Sequence, residues 1–149
     1  MSETLLPVSD TLNPGSWVTE LGGSSNLYDS IDSEAGGETY IVSPLSPSSA
    51  VYVCKLAAPT GTPGTGTWLL SVSLKKLPNA TAEQVDATIE VYEAYVSEVS
   101  KGTLICTLSE IDTGETTQFE GYSHTLSAGE IATVTDAGDL YLRITANAP

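Results

Sequence analysis

Short segments in which apolar and polar residues alternate constrain the fold of this chain more than any other feature. The clearest covers residues 67–75, where four apolar residues fall on one side and only Leu69 breaks the polar set on the other. Successive side chains of a β-strand point to opposite faces, so this segment predicts a strand with one face in a core and one in water. The side chains that we expect to be buried are Trp68, Leu70, Val72 and Leu74.

Seven further segments have the composition of short strands. Ser and Thr make up a quarter of the chain, and 13 Gly and 8 Pro separate the segments. Short strands at turn-punctuated spacing are typical of a sandwich or barrel. We therefore predict an all-β protein of about eight strands, the others lying in segments 16–20, 39–43, 50–57, 87–92, 103–109, 117–126 and 139–145.

Alternation also assigns faces within the later strands. The segment 103–109 places Leu104, Cys106 and Leu108 on one face. The apolar residues of 117–126 fit one face only if a bulge falls near Gly121. In the last strand the inward residues are Leu140, Leu142 and Ile144, and the outward ones are Tyr141, Arg143 and Thr145.

Two short pieces have helical signals. Ser127 is followed three residues later by Glu130, the capping-box spacing that satisfies free N–H groups at a helix start. Leu27 and Ile31 stand four residues apart in a segment that can form one helical turn. We predict one short helical turn after Ser127 and a second candidate turn around Leu27.

The first fifteen residues have no period. Leu5, Leu6 and Val8 are interrupted by Pro7 and followed by Pro14. We therefore divide the chain into an extended arm, residues 1–15, and a domain, residues 16–149. The apolar arm residues are candidate interface residues, because proline keeps the arm out of central strand pairing and burial against a neighbour would offset its ordering. The prediction is an arm that is disordered in the isolated protomer; a frayed terminus without contacts is the alternative.

Charge excludes several classes of partner. The chain has 149 residues, a length typical of one domain, with 5 Lys+Arg against 19 Asp+Glu and a net charge of -14. So few basic residues cannot neutralise phosphates, which excludes nucleic acid, and they argue against an anionic membrane surface. No apolar run is long enough for a membrane helix, and the first residues do not resemble a signal peptide. We expect synthesis in a cytoplasm.

The residues available for catalysis or metal binding are few. His124 is the single histidine, and its neighbour Ser123 would point to the opposite face of a strand, so a Ser–His pair is not expected. Cys54 and Cys106 lack the spacing of a zinc or redox motif, and we expect two buried thiols, with a disulfide as the alternative. We predict no enzyme, no cofactor and no catalytic or metal residue. A solvated acidic loop is favoured over a calcium site at Asp29, Asp32, Glu34 and Glu38.

Aromatic residues are the remaining lead. Tyr92 and Tyr141 fall on outward faces of their strands in the pattern above. Such side chains can form a sugar-stacking platform or a protein interface, although scattered exposed tyrosines are also common on strands. We include both tyrosines among the candidate interface residues.

The order of the motifs resembles a known module. Ser16-Trp17-Val18, the segment 26–32 and Tyr40-Ile41-Val42-Ser43 resemble the start of a β-sandwich module common in tailed-phage virion proteins, and the segments 122–127, 130–136 and 139–145 resemble its end. The resemblance covers roughly residues 16–146, and the chain departs from it in the loop 57–66 and the long connection 93–102. It implies a jelly-roll fold and no catalytic residues, as in capsid cement and decoration proteins.

The resemblance and the composition together lead to one expected function. We expect a capsid cement or decoration protein, a homotrimer that binds the major capsid protein on the outer capsid surface of the virion and stabilises the shell. The alternative is a carbohydrate-binding or host-adhesion module of a tail or head fibre, and a glycosidase is third. Exposed aromatics in one concave patch would favour glycan binding.

Overall fold

The described part of the chain is mostly β, with nine strands in antiparallel sheets and one short α-helix. The structure, a computed structural model, describes residues 3–19, 21–31, 40–44, 47–61, 66–75, 85–112 and 119–148, with residues 110–112 described by their backbone only. The strands are β1 Pro7–Leu12, β2 Val18–Thr19, β3 Ile41–Val42, β4 Ala50–Leu56, β5 Leu69–Leu74, β6 Asp86–Glu93, β7 Thr103–Asp112, β8 Glu120–Thr125 and β9 Leu140–Asn147. A 3-10 helix covers Leu27–Ser30, and the helix α1 covers Ala128–Thr133.

Strand pairing from β4 onward is nested. β4 pairs with β9, β5 with β8, and β6 with β7. The outer and inner pairs share one sheet in the order β1-β4-β9-β6-β7, because β9 also pairs with β6. The middle pair forms a separate two-stranded ribbon, and β2 and β3 form another.

The main core lies between one face of the five-stranded sheet, here called the inner face, and the smaller elements. Tyr52, Cys54 and Ile89 of this face are fully buried. Full burial of a large aliphatic side chain such as Ile89 contributes roughly 1.5–3 kcal/mol. Half-buried side chains of the β5–β8 ribbon close the core from the other side, namely Trp68, Leu70, Val72, Leu74 and Tyr122.

The predicted face of β5 is confirmed, although its burial is only partial. The apolar set packs on the main core, and Leu69 is exposed on the opposite face. The ribbon covers the larger sheet with only two strands, so its inward side chains keep part of their surface in water. The bulge expected near Gly121 is absent, because residues 120–125 pair without interruption with residues 74–69.

The face assigned to Leu104 is wrong. Cys106 is buried in the main core, but Leu104 is exposed and pairs with Tyr92 on the opposite, outer face. A register shift in the β6–β7 pair lies between these positions: Val91 faces Cys106, and the next residue, Tyr92, faces Leu104. Such a bulge adds one residue to one strand and thereby reverses the alternation.

The expectation of a loose N-terminal arm does not agree with the structure. Residues 7–12 form β1, which pairs with β4 at the edge of the large sheet. The Asp10 carboxylate accepts hydrogen bonds from the backbone N–H groups of Leu27 and Tyr28, both at 2.9 Å, and from the Tyr52 hydroxyl at 2.6 Å. The segment is therefore fastened to the 3-10 helix and to β4 of its own chain.

Both helical predictions are confirmed. The Ser127 hydroxyl accepts from the Glu130 N–H, and the Glu130 carboxylate accepts from the Ser127 N–H, which is a complete capping box. The second candidate turn is the 3-10 helix, whose Leu27 is fully buried in the main core.

Candidate functional site

The five candidate interface residues occupy different environments. Leu5 and Leu6 are half-buried, with Leu5 packed on the main core and the Leu6 carbonyl accepting a hydrogen bond from the Ala57 N–H. Val8 is exposed on β1. Of the three apolar candidates in the arm, Val8 is therefore the one whose side chain is exposed to a partner.

Tyr92 and Tyr141 are brought together on the outer face. They are paired directly across β6 and β9, and Tyr95 lies beside both, with ring centroids 5.9 Å from Tyr92 and 6.0 Å from Tyr141. Tyr92 is only 7% exposed and Tyr141 is half-buried. The expected exposure of Tyr92 is therefore wrong, although its face is the one predicted.

The connection between β6 and β7 explains this burial. Residues 94–102, called the flap, fold back over the outer face and cover a second apolar cluster. This outer cluster consists of Leu12, Val51, Val53, Tyr92, Tyr95 and Tyr141. The connection is thus longer than a tight hairpin because it covers this cluster.

An ion pair holds the flap against the sheet. Arg143 of β9 donates two hydrogen bonds to the Glu98 carboxylate, at 2.9 and 2.7 Å, and a third to Glu90 at 2.6 Å. The Tyr95 hydroxyl also donates to Glu98. A planar guanidinium that binds a carboxylate through two parallel bonds fixes orientation as well as distance.

Electrostatics agree with this geometry. Hydrogen bonds from Arg143 lower the pKa of Glu98 to about 2, against a smaller opposing effect of burial. The pKa of Arg143 is raised, first by its hydrogen bonds to Glu98. Burial and the bond to Glu98 raise the pKa of Tyr95. At neutral pH, Glu98 is therefore negatively charged, Arg143 is positively charged and Tyr95 is neutral, and these are the states that the hydrogen bonds of the flap require.

The outer end of the flap is a hydrogen-bonded turn. Val96 N–H and Ser97 N–H both donate to the Ser100 carbonyl, and Ser100 N–H donates back to the Ser97 carbonyl. Val96 is 74% exposed and Val99 is 99% exposed. Exposed aliphatic side chains in an ordered turn were missed by the sequence interpretation, in which this segment was only a long connection.

The signal that could have identified the flap lies in the outward positions of two strands. Glu90 and Arg143 are opposite charges on outward faces, and the connection carries a further acid, Glu98. Their meeting depends on β6 pairing with β9, which joins residues far apart in the chain. Local alternation gives no information on that pairing.

The structure places the Ser123 and His124 side chains apart. His124 is half-buried and its Nε2 lies 2.9 Å from Glu130 Oε1, whereas Ser123 is exposed on the other face of β8. His124 thus has a carboxylate of the capping box as its partner, and Ser123 is not within reach of it as a nucleophile.

The two cysteines are free and buried, as favoured from the sequence. They lie on one row across the sheet, Cys54 beside Leu142, then Val91, then Cys106. Three strand spacings separate them by roughly 14 Å, whereas a disulfide needs Cα atoms within about 7 Å. Burial raises the pKa of Cys54 to about 12 and that of Cys106 to about 11, so neither is a reactive thiolate.

The acidic segment considered for calcium lies mostly outside the described residues, since only Asp29 of its four acids is among them. Within the described part of the chain, no group of three or more His, Cys, Asp or Glu side chains is placed to hold a metal ion. None of the described helices is long and apolar enough to span a membrane.

Comparisons of the chain with known protein families, with curated proteins and with solved structures gave no match.

Proposed function

We propose that the protein is a phage virion structural protein, a cement or decoration protein that binds the outer capsid face and stabilises the shell. One observation carries the choice between protein contact and glycan contact. All ten aromatic residues lie in the described part of the chain, and each is buried or half-buried. Among the described residues, the large apolar side chains that are exposed are instead aliphatic: Val8, Leu21, Leu69, Val96, Val99 and Leu104. Sugar stacking requires accessible aromatic faces, whereas a protein contact can use aliphatic ones.

Charge supports a protein partner with a basic surface. The chain carries -14, and each described basic side chain is already engaged. Lys55 pairs with Asp139, Lys101 with Glu98, and Arg143 with Glu90 and Glu98. Lys75 lies 4.4 Å from the ring centres of Tyr40 and Phe119. A field of one sign steers association with a surface of the opposite sign.

The nested strand pairing supports the jelly-roll part of the proposal. A jelly-roll is a long antiparallel hairpin wrapped so that alternate pairs fall in two layers. Here the pairs β4–β9 and β6–β7 share one sheet, and β5–β8 lies in the other layer. We assign these six strands to a reduced jelly-roll, with β1 added at the sheet edge.

The outward face of the β5–β8 ribbon supports self-association, which the proposed homotrimer requires. Its exposed side chains are uncharged: Leu69, Ser71, Ser73, Ser123 and Thr125. Copies that each carry -14 repel one another, so they can meet most readily where the surface has no charge. Light scattering coupled to size exclusion measures the mass, and Leu69→Glu, which adds a negative charge to this face of every copy, is expected to give monomers.

The proposed function depends on the area of contact with the capsid and not on a chemical reaction. A protein that binds only the assembled shell stabilises that shell by mass action, with no catalytic residue and no cofactor. Val8 is available for such a contact. The predicted roles of Leu5, Leu6, Tyr92 and Tyr141 concern surfaces that the chain already covers in part or in full.

The deciding experiment uses capsids of the encoding phage assembled without this protein. Purified protein is added back, and the bound copies per major capsid subunit and the temperature of capsid disruption are measured. We expect saturation at a fixed ratio and a higher disruption temperature. Binding to a glycan array without binding to capsids would support the host-adhesion alternative and contradict the proposal.

A further inference from the structure

The flap ends in a convex apolar tip, Val96 and Val99, whose side chains make little contact with the rest of the chain. Val99 is 99% exposed and Val96 is 74% exposed, while Tyr95 between the flap and the sheet is buried. The flap therefore has one face that stabilises the chain and another that offers two β-branched side chains to a partner. A side chain exposed to this degree lies on a projection, and a projection fits a hollow.

The tip is held in a fixed conformation. The Ser97–Ser100 turn is closed by hydrogen bonds in both directions, and Ala94 N–H donates to the Asp139 carbonyl at 3.0 Å at the start of the flap. Arg143 holds Glu98, the residue between the two valines, by two bonds. A contact whose loop and β-branched side chains are already ordered loses little conformational entropy on binding.

We propose that Val96 and Val99 enter an apolar hollow with a basic rim on the capsid subunit to which the protein binds. This inference rests on the proposed function and deepens it by naming the contact. The rim is basic because the tip belongs to a chain of -14 whose described basic groups are all engaged. The same charge disfavours a second copy of this chain as the occupant.

The test compares the double variant Val96→Ser, Val99→Ser with the matched control Leu21→Ser, whose side chain is 91% exposed elsewhere on the surface. The probe is again capsids assembled without the protein, and titration gives the Kd. The double variant is expected to raise Kd on the order of 10- to 100-fold, because two valines lose their burial. Leu21→Ser is expected to match the wild type.

Folding and assembly controls separate the outcomes. Both variants change exposed residues, so their thermal unfolding is expected to equal that of the wild type. Wild-type binding that the double variant retains would overturn this inference and leave the proposed function standing. A double variant that loses oligomer mass in solution would assign the tip to a second copy and would also overturn it. If the wild type does not bind capsids, the proposed function fails and this inference fails with it.

Discussion

Gly102 closes the flap at a position that no other residue can occupy without strain. Its φ is +74°, and a Cβ there would lie 2.1 Å from the Glu93 carbonyl oxygen. Gly22 has a similar φ of +85° but open space around it. Both substitutions by alanine incur the conformational cost of about 1–2 kcal/mol, and only Gly102 adds a clash with backbone. Gly102→Ala is therefore expected to reduce the free energy of unfolding, measured in urea, clearly more than Gly22→Ala. Equal losses would show that the flap can move away from Glu93 at no cost.

Glu98 makes the flap sensitive to acid. Its pKa in the folded protein, about 2, lies below its ordinary value because Arg143 stabilises the carboxylate. A lowered carboxyl pKa contributes stability that is fully present above the ordinary value and is lost as pH falls toward the folded value. From roughly pH 5 to 2, thermal unfolding midpoints of Glu98→Gln are therefore expected to fall less steeply than those of the wild type. Leu21→Ser, a change at an exposed and uncharged residue, serves as control and is expected to keep the wild-type slope. A Glu98→Gln slope equal to the wild type would contradict the ion pair.

Among the elements, β1 is the one whose attachment decides how the N-terminus behaves. Asp10 is the shared acceptor for the 3-10 helix and for the fully buried Tyr52. Asp10→Ala leaves these donors without their acceptor, and unsatisfied buried groups cost about 1–3 kcal/mol each. We expect a loss of that order in urea unfolding, together with faster amide hydrogen exchange at residues 8–12 and 27–30. Tyr52→Phe removes one donor and is the milder comparison. Wild-type exchange at β1 in Asp10→Ala would mean that strand pairing alone holds it.

An element can be predicted from the sequence when the interactions that form it join residues that are close together in the chain. The capping box at Ser127 and the face of β5 follow from neighbouring residues, and both predictions are confirmed. Apolar and polar residues do not alternate regularly along β1. Two register shifts interrupt its pairing with β4, so that Asp10 faces the core and Leu12 lies on the outer face. The candidate site was missed for a similar reason: the flap closes through a bond between residues 98 and 143.

At the scale of the whole molecule, the large negative charge favours one of the two contacts that we propose and opposes the other. Capsid binding joins unlike charges, whereas a homotrimer joins copies that each carry -14. Salt screens both, since the Debye length falls from about 10 Å at 0.1 M to about 3 Å at 1 M. Raising salt is therefore expected to weaken binding to capsids and to strengthen self-association.

Both responses can be measured on the same protein. Titration of capsids at about 0.05 and 0.5 M NaCl gives the Kd, and light scattering at the same concentrations gives the oligomer mass. Glucose at matched osmolality controls for solute effects that do not depend on charge. A Kd that is unchanged or lower in high salt would contradict a basic partner surface, because association of an acidic chain with such a surface must weaken as the attraction between them is screened. Oligomer mass that falls in high salt would contradict the uncharged ribbon face as the site of self-association, since a contact between like-charged copies gains from screening.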